Sequence, residues 1–398
     1  MNVSAIIAEY NPCHKGHAYH IRKTREMTEA ECIVVIMSGN YVQRGIPAMF
    51  DKYTRAHAAI LAGADLVIEL PVIYATASAE FFAENAVKII NKLGNVNTLT
   101  FGVEQDDLSV LSKIADILID EPDEFKDTLK FFMKNGESVA TARTKALCRY
   151  IPDADRIVAS PNNILAIEYI KAIKRYCVNI DAVGIKRIGN GYNDELPTTK
   201  YPSATAIRKM YDNGNDTDIR SAVPSEIYEY FRGENNISAD DFNSILNCSL
   251  LHNKGCYNSF LDVDDRLANR IEKNMRNGKF YGFSELAMQL KTKNYTFTRI
   301  CRILTHIMLE IRKNDIIEPE YSRVLAFNNT GSKYIKELKK SDNNILFTDI
   351  NSIKNILSEN AIRSLEKDIY ASDLYRMVMY EKNGILIPDE FRHKPEIV

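Results

Sequence analysis

The sequence predicts an α/β protein: a parallel sheet flanked by helices, followed by a mostly α-helical C-terminal domain. Two patterns predict the sheet. Short runs that are apolar on both faces recur through the first half, as buried parallel strands require. Helical stretches of about 10 to 15 residues separate them, the spacing of crossover connections. A third observation predicts the division. Near residue 215 the chain becomes polar and turn-rich, and beyond it the pattern is nearly all helical.

The elements follow in order. Val3 to Ala8 reads as a central strand, broken by the turn Tyr10-Asn11-Pro12, and a basic helix runs from His17 to about Thr28. Cys32 to Met37 is a second strand ending at Ser38-Gly39-Asn40, followed by a loop from Val42 to Ala48. A helix from Lys52 to Ala62 stops at Gly63. Asp65 to Leu70 is a third strand closed by Pro71, Ser78 to Leu93 a helix, and Thr98 to Phe101 a fourth strand ending in Gly102. Residues 106–150 are helical in period. Asp155 to Ala159 reads as a short strand, and Ser160 caps a helix that has Pro161 at its first position. Asp181 to Arg187 is the last strand, followed by the loop Gly189 to Asp194 and by Tyr201 to Arg208 leading into a short helix. The whole is a Rossmann-like parallel sheet, 1–215, and a helical region, 216–398.

The 398 residues exceed one ordinary core, so two or three domains are expected. Hydrophobic residues make up 45% and charged residues 26%, with a net charge of −2, so nucleic-acid binding needs a local basic surface. Seven cysteines form no CxxC pair and are expected to be reduced thiols of a cytoplasmic protein. The N-terminal stretch lacks the marks of a signal peptide, and the apolar runs carry Asp65 or Glu69, so no membrane span is expected.

Ligands of such sheets sit beyond the carboxyl ends of the strands. There the first strand delivers His14 and His17, spaced His-x-Gly-His, with Lys15 between them, to a helix start that favours an anion. One histidine capping the helix and the other packed is the plainer reading; a zinc site lacks a nearby third ligand. Ser203, Thr205 and Arg208 form either an ordinary helix start or a phosphate clamp. Arg44, Lys52 and Arg55 are surface charges or substrate contacts. Gly102 ends a strand or admits a ligand, and Asn162 and Asn163 are caps or contacts. From Arg266 to Lys313 there are eleven Lys plus Arg against three Glu and no Asp, interleaved with Tyr281, Phe283, Tyr295 and Phe297. This stretch is either a solvated helix face or a nucleic-acid surface.

The His-x-Gly-His turn and Ser-Ala-Thr-Ala-Ile-Arg resemble the nucleotidyltransferase superfamily. With Ala-Glu-Tyr-Asn-Pro-Cys-His-Lys-Gly-His, Met-Ser-Gly-Asn-Tyr-Val-Gln-Arg-Gly, Asp-Leu-Val-Ile-Glu-Leu-Pro, Phe-Gly-Val-Glu, Ser-Pro-Asn-Asn-Ile-Leu-Ala and Tyr-Thr-Phe-Thr-Arg-Ile, the chain resembles, along nearly its whole length, the bacterial tRNA(Met) cytidine acetate ligase family. Cys13 and Lys15 stand where that family more often has an aromatic residue and Asn, leaving the histidine spacing intact.

The resemblance implies a ligase that makes acetyl-adenylate from acetate and ATP, with Mg²⁺ and release of pyrophosphate. It then acetylates N4 of the wobble cytidine, C34, of elongator tRNA(Met). By resemblance the ATP site comprises Ile7, Ala8, Glu9, Tyr10, Asn11, Pro12, Cys13, His14, Lys15, Gly16, His17, Ala18, Tyr19 and His20, then Gly102, Asn162 and Arg187. His14 and His17 would be the catalytic pair at the α-phosphate, with Ser203, Thr205 and Arg208 at the outer phosphates. Lys291, Lys293, Arg299 and Arg302 are the expected tRNA contacts. Two rival expectations remain at this point: an adenylyltransferase making a small activated precursor without RNA, and a non-catalytic ATP-sensing RNA-binding protein.

Overall fold

The computed structural model describes residues 1–104, 107–176, 179–187, 202–231, 236–276, 278–340, 345–353 and 355–398. The expected loop 189–194 and Tyr201 lie outside them, as do Cys177 and residues 233–235 of the polar division.

The apolar runs form the strands. They are β1 (Val3–Ala8), β2 (Cys32–Ser38), β3 (Tyr41–Val42), β4 (Ile46–Pro47), β5 (Leu66–Leu70), β6 (Val96–Val103), β7 (Asp181–Lys186), β8 (Tyr321–Phe327), β9 (Ile345–Phe347) and β10 (Glu396–Ile397). Eight make one sheet in the order β10-β8-β5-β2-β1-β6-β7, with β9 paired to β8. All pairings in it are parallel except β5 with β8. β1 lies between β2 and β6, where the winding changes direction, and a ligand crevice opens at such a point.

Side chains alternate across β1. Val3, Ala5 and Ile7 pack toward the helices Ala79–Leu93 and Pro161–Tyr176. Ile6, Ala8 and Tyr10 pack toward the helices Lys15–Thr28 and Lys52–Leu61 and the three short helices between Ala204 and Phe231. A third core lies among the helices Asn243–His252, Asp265–Met275, Phe283–Leu290 and Phe297–Met308. Among the described residues no helix is long and apolar enough to cross a membrane.

Four expectations need correction. Residues 155–159 are not a strand, because Ala154–Ile157 is a helical turn. Ala154 and Ile157 are buried while Asp155 and Arg156 are exposed, a spacing of three rather than two. Gly102 does not end its strand: it sits inside β6 opposite Ile185. The loop after β2 contains the small hairpin β3–β4. Finally, β7 is not the last strand: the C-terminal half is mostly helical, as expected, but also carries strands.

β8, β9 and β10 return from that half to complete the sheet. Arg323 interrupts the apolar signature of β8. It is tolerated because its guanidinium pairs with Glu390 and approaches Glu69 at 3.7 Å.

Lys52 joins the same buried cluster, 2.8 Å from Glu69 and 3.1 Å from Glu390. Lys52 is therefore no surface charge: its side chain has 0% exposure. Two cations and two carboxylates can reside together in the interior because each charge has an opposite charge within ion-pair distance.

Candidate active site at the carboxyl edge of the sheet

After β1 the chain turns at Tyr10, which takes a left-handed φ of 47°. His14 then caps the helix Lys15–Thr28. Its Nδ1 accepts from the Gly16 amide at 3.0 Å, and His17 Nδ1 accepts from the His14 amide at 3.3 Å. Each histidine thus closes one of the free amides at the helix start. The two rings stack with centroids 3.7 Å apart, and Tyr10 meets His17 edge-on at 4.8 Å. Both the capping and the nucleotide readings of the pair hold an element of the geometry, since capping consumes only Nδ1.

Burial pushes His14 down to about 3, aided by the charges of Arg187 and Arg208. His17 is held well below its ordinary value by burial and by His14. Burial and Arg187 lower His20 to about 4. The rings are therefore neutral at pH 7. With Nδ1 occupied as an acceptor in His14 and His17, the proton of each resides on Nε2, which is left as a donor. Tyr10 adds a buried hydroxyl with no hydrogen-bond partner among the described residues.

The predicted outlying residues converge on this turn. Arg208, on the helix Ala204–Asp212, donates to the Asn11 carbonyl at 2.7 Å and to Thr205 Oγ1 at 3.1 Å. Ser203 caps that helix, its Oγ accepting from the Ala206 amide at 3.2 Å. The helix-start reading thus holds for Ser203, while Arg208 reaches the histidine turn. On the other side, Arg187 contacts Asn162 at 3.4 Å, and Asn162 donates to Glu104 at 2.9 Å. A side chain added at Gly102 would touch the Arg187 stem at 3.4 Å, so Gly102 leaves that arginine its place. Asn163 bonds the Glu104 amide and the Ile157 carbonyl, a structural role. His20 lies 3.3 Å from Thr100. Lys15 donates at 2.5 Å to the Ser221 carbonyl. It also borders a groove of about 680 Å³ on the outer face of its helix, which includes none of the histidines.

Sequence reasoning missed the scaffold. Arg55 has 0% exposure and donates to the carbonyls of Glu9 at 2.6 Å, Ser38 at 3.1 Å and Phe50 at 2.9 Å, and to that of Gly39. One guanidinium thereby ties the ends of β1 and β2 together, using the five-donor fork that suits arginine to carbonyl-rich sites. Neither reading of its charge, surface or substrate contact, anticipates this, because these carbonyls leave no mark in a sequence. Glu104 was visible only as the last residue of Phe-Gly-Val-Glu.

The basic stretch lies on the third core. Lys291 and Lys293 are exposed, Lys293 lying 3.8 Å from Glu137. Arg299 stacks over Tyr295, lies 3.9 Å from Asp264 and donates to the Asp262 carbonyl at 3.3 Å. Arg302 is half-buried, and its Nε has no hydrogen-bond partner among the described residues. Acids missing within 266–313 are thus supplied in part from outside it. The helix Phe297–Met308 joins the sheet edge directly. Thr305 donates to the Gly45 carbonyl at 2.8 Å, and His306 Nε2 lies 3.0 Å from the Thr76 carbonyl.

Comparison with known proteins gives one consistent result. The model of the HIGH Nucleotidyl Transferase family matches residues 1–385. The tRNA(Met) cytidine acetate ligase of Clostridium novyi is 39% identical, covering 99% of both chains. That of Thermoanaerobacter sp. X514 is 38% identical, again over 99% of both. Among solved structures, Thermotoga maritima TmcAL superposes over 100% of both chains at 27% identity, with a TM-score of 0.93 in its apo form. The same protein bound with alpha-thio ATP gives 0.91.

Proposed function

The chain belongs to the HIGH nucleotidyl transferase family and, within it, to the tRNA(Met) cytidine acetate ligases; from that premise we propose that it activates acetate with ATP and acetylates N4 of C34 in elongator tRNA(Met). The observation that carries the first step is the stacked, neutral His14–His17 pair at a helix start, flanked by Arg208 and Arg187.

An acetate oxygen attacks the α-phosphorus in line, and pyrophosphate leaves. The protein contributes no nucleophile; it positions both reactants and steadies the developing charge. His14 and His17 donate from Nε2 to the α-phosphate, joined by the anion-favouring helix end. Arg208, with Ser203 and Thr205 beside it, holds the outer phosphates. Arg187 and Asn162 lie on the nucleoside side, where Gly102 leaves room. The bound nucleotide analogue of the Thermotoga relative supports ATP use. Among the described residues no cluster of three or more His, Cys, Asp or Glu is ready to hold a metal. Mg²⁺ would therefore enter on the triphosphate, held chiefly by phosphate oxygens and water, and would neutralise the leaving pyrophosphate.

In the second step the exocyclic amine of the unstacked cytidine takes the acetyl group and AMP leaves. Residues 1–215 form the activating part and 216–398 the tRNA-binding part, with β8 to β10 of the latter completing the sheet of the former. Lys291, Lys293, Arg299 and Arg302 grip the anticodon arm, and the reaction takes place in the cytoplasm.

The test is incubation with ATP, labelled acetate and total tRNA, followed by mass analysis of nucleosides. Labelled N4-acetylcytidine is expected. Pyrophosphate release without acetylcytidine would point to a small-molecule adenylyltransferase. Nucleotide and RNA binding without pyrophosphate release would point to a sensor.

A further inference from the structure

We propose that Glu9 is the base that removes the proton from the cytidine amine during acetyl transfer, an inference that rests on the two-step reading above. The β1 turn has two sides. Tyr10 continues the face that packs toward the helix Lys15–Thr28, and His17 lies against it. Glu9 continues the opposite face, that of Ile7. The charge of its carboxylate helps raise Tyr169 on the helix Pro161–Tyr176, after burial itself.

The backbone and one carboxylate oxygen of Glu9 are fixed. Its carbonyl accepts from Arg55 at 2.6 Å, and Oε1 accepts from the Gln43 amide at 2.9 Å. The second oxygen has no hydrogen bond or cation within ion-pair distance among the described residues, and the residue is only half-buried. A carboxylate so held keeps an open lone pair at a defined place.

That place adjoins the basic helix. Gln43 lies in the β3–β4 hairpin, whose Gly45 packs so tightly on Phe297–Met308 that an added Cβ would stand 2.1 Å from the Arg302 amide. Thr305 and His306 pin the same helix to Gly45 and Thr76, beside Ala77, whose carbonyl Gln43 Nε2 reaches at 3.4 Å. A base presented by RNA bound on that helix therefore approaches from the Glu9 side of the turn, whereas the α-phosphate lies on the histidine side.

The step balances without another reagent. The N4 lone pair attacks the carbonyl carbon of acetyl-adenylate, forming the C–N bond and moving the carbonyl π pair onto oxygen. Glu9 accepts one N4 proton. The carbonyl re-forms, the bond from acyl carbon to phosphate oxygen breaks, and AMP leaves with that electron pair. The proton on Glu9 then passes to water. General bases of this kind contribute roughly 10² to 10⁴-fold.

The experiment supplies synthetic acetyl-adenylate and tRNA, which bypasses the first step, and follows acetylcytidine formation in a single turnover. Glu9→Gln keeps an oxygen for the Gln43 amide but loses basicity. Its transfer rate is expected to fall about 10²-fold or more, and Glu9→Asp to keep part of the activity. Transfer by Glu9→Gln within about threefold of the wild type would overturn the proposal. So would equal losses in both variants, which would mean that Glu9 only braces the hairpin. If the wild-type protein itself makes no acetylcytidine from acetyl-adenylate, the functional reading fails and this inference with it.

Discussion

The imidazoles of His14 and His17 lie stacked at 3.7 Å, and each spends its Nδ1 on a backbone amide of the same helix start. The stack leaves two neutral Nε2 donors side by side. Removing either, as His14→Ala or His17→Ala, is expected to slow acetyl-adenylate formation by about 10²-fold or more, the usual effect of one stabilising donor. Acetate-dependent pyrophosphate release measures this. Rates near wild type would remove the pair from the chemistry.

The lowered histidines make stability depend on pH. His20 falls from its ordinary 6.5 to about 4 on folding. Between those values the unfolded chain binds the extra proton, so the contribution is complete above pH 6.5 and is lost as pH falls toward 4. Denaturation midpoints measured across this range should decline in the wild type. They should decline less steeply in His20→Gln, and parallel curves would contradict the assignment.

Lys52 illustrates a buried cation with two carboxylate partners. Lys52→Met leaves Glu69 and Glu390 sharing only Arg323. Losing one partner of a buried charge set typically costs about 3–5 kcal/mol. Urea unfolding should show a loss of that order, whereas a loss below about 1 kcal/mol would mean that water reaches the cluster.

Gly45 has a φ of +72°, and its Cα faces the Arg302 backbone. Gly45→Ala meets both the left-handed strain, about 1–3 kcal/mol, and a contact that only movement of the hairpin or the helix can relieve. Stability should fall, and tRNA acetylation should fall more than acetyl-adenylate formation. Equal effects on the two steps would mean that this contact does not couple the basic helix to the turn.

Of the four expected tRNA contacts Lys291 and Lys293 are the exposed ones, and the Glu137 contact of Lys293 at 3.8 Å is weak. Replacing each with Gln should weaken tRNA binding and lower the salt dependence by about one phosphate contact apiece. Binding titrations at several salt concentrations test this; an unchanged slope would place the RNA elsewhere.

Much of the first half was legible because it rests on local rules. Runs such as Cys32–Ser38 are apolar on both faces, and Ser78 and Ser160 cap the helices they precede. The His-x-Gly-His spacing marks a strand-turn-helix junction in the sequence itself. The strand expected over Asp155 to Ala159 is instead a helical turn, Ala154–Ile157, in which two exposed charges lie between two buried residues.

What the sequence determined by itself was therefore the nucleotide-handling turn, the strands around it and the family resemblance. The tertiary structure decided three further things. It brought β8 back to the sheet beside β5, hidden because Arg323 is neutralised by Glu69 and Glu390 from distant parts of the chain. It made Arg55 a clamp on carbonyls, groups every residue carries and no sequence distinguishes. It also separated Glu9 from His17 on opposite sides of one turn and set the basic helix on the Glu9 side. Periodicity and capping depend on neighbours within a few residues and can be read along the chain. Charge compensation and the facing of a crevice depend on partners tens to hundreds of residues away, which only folding brings together.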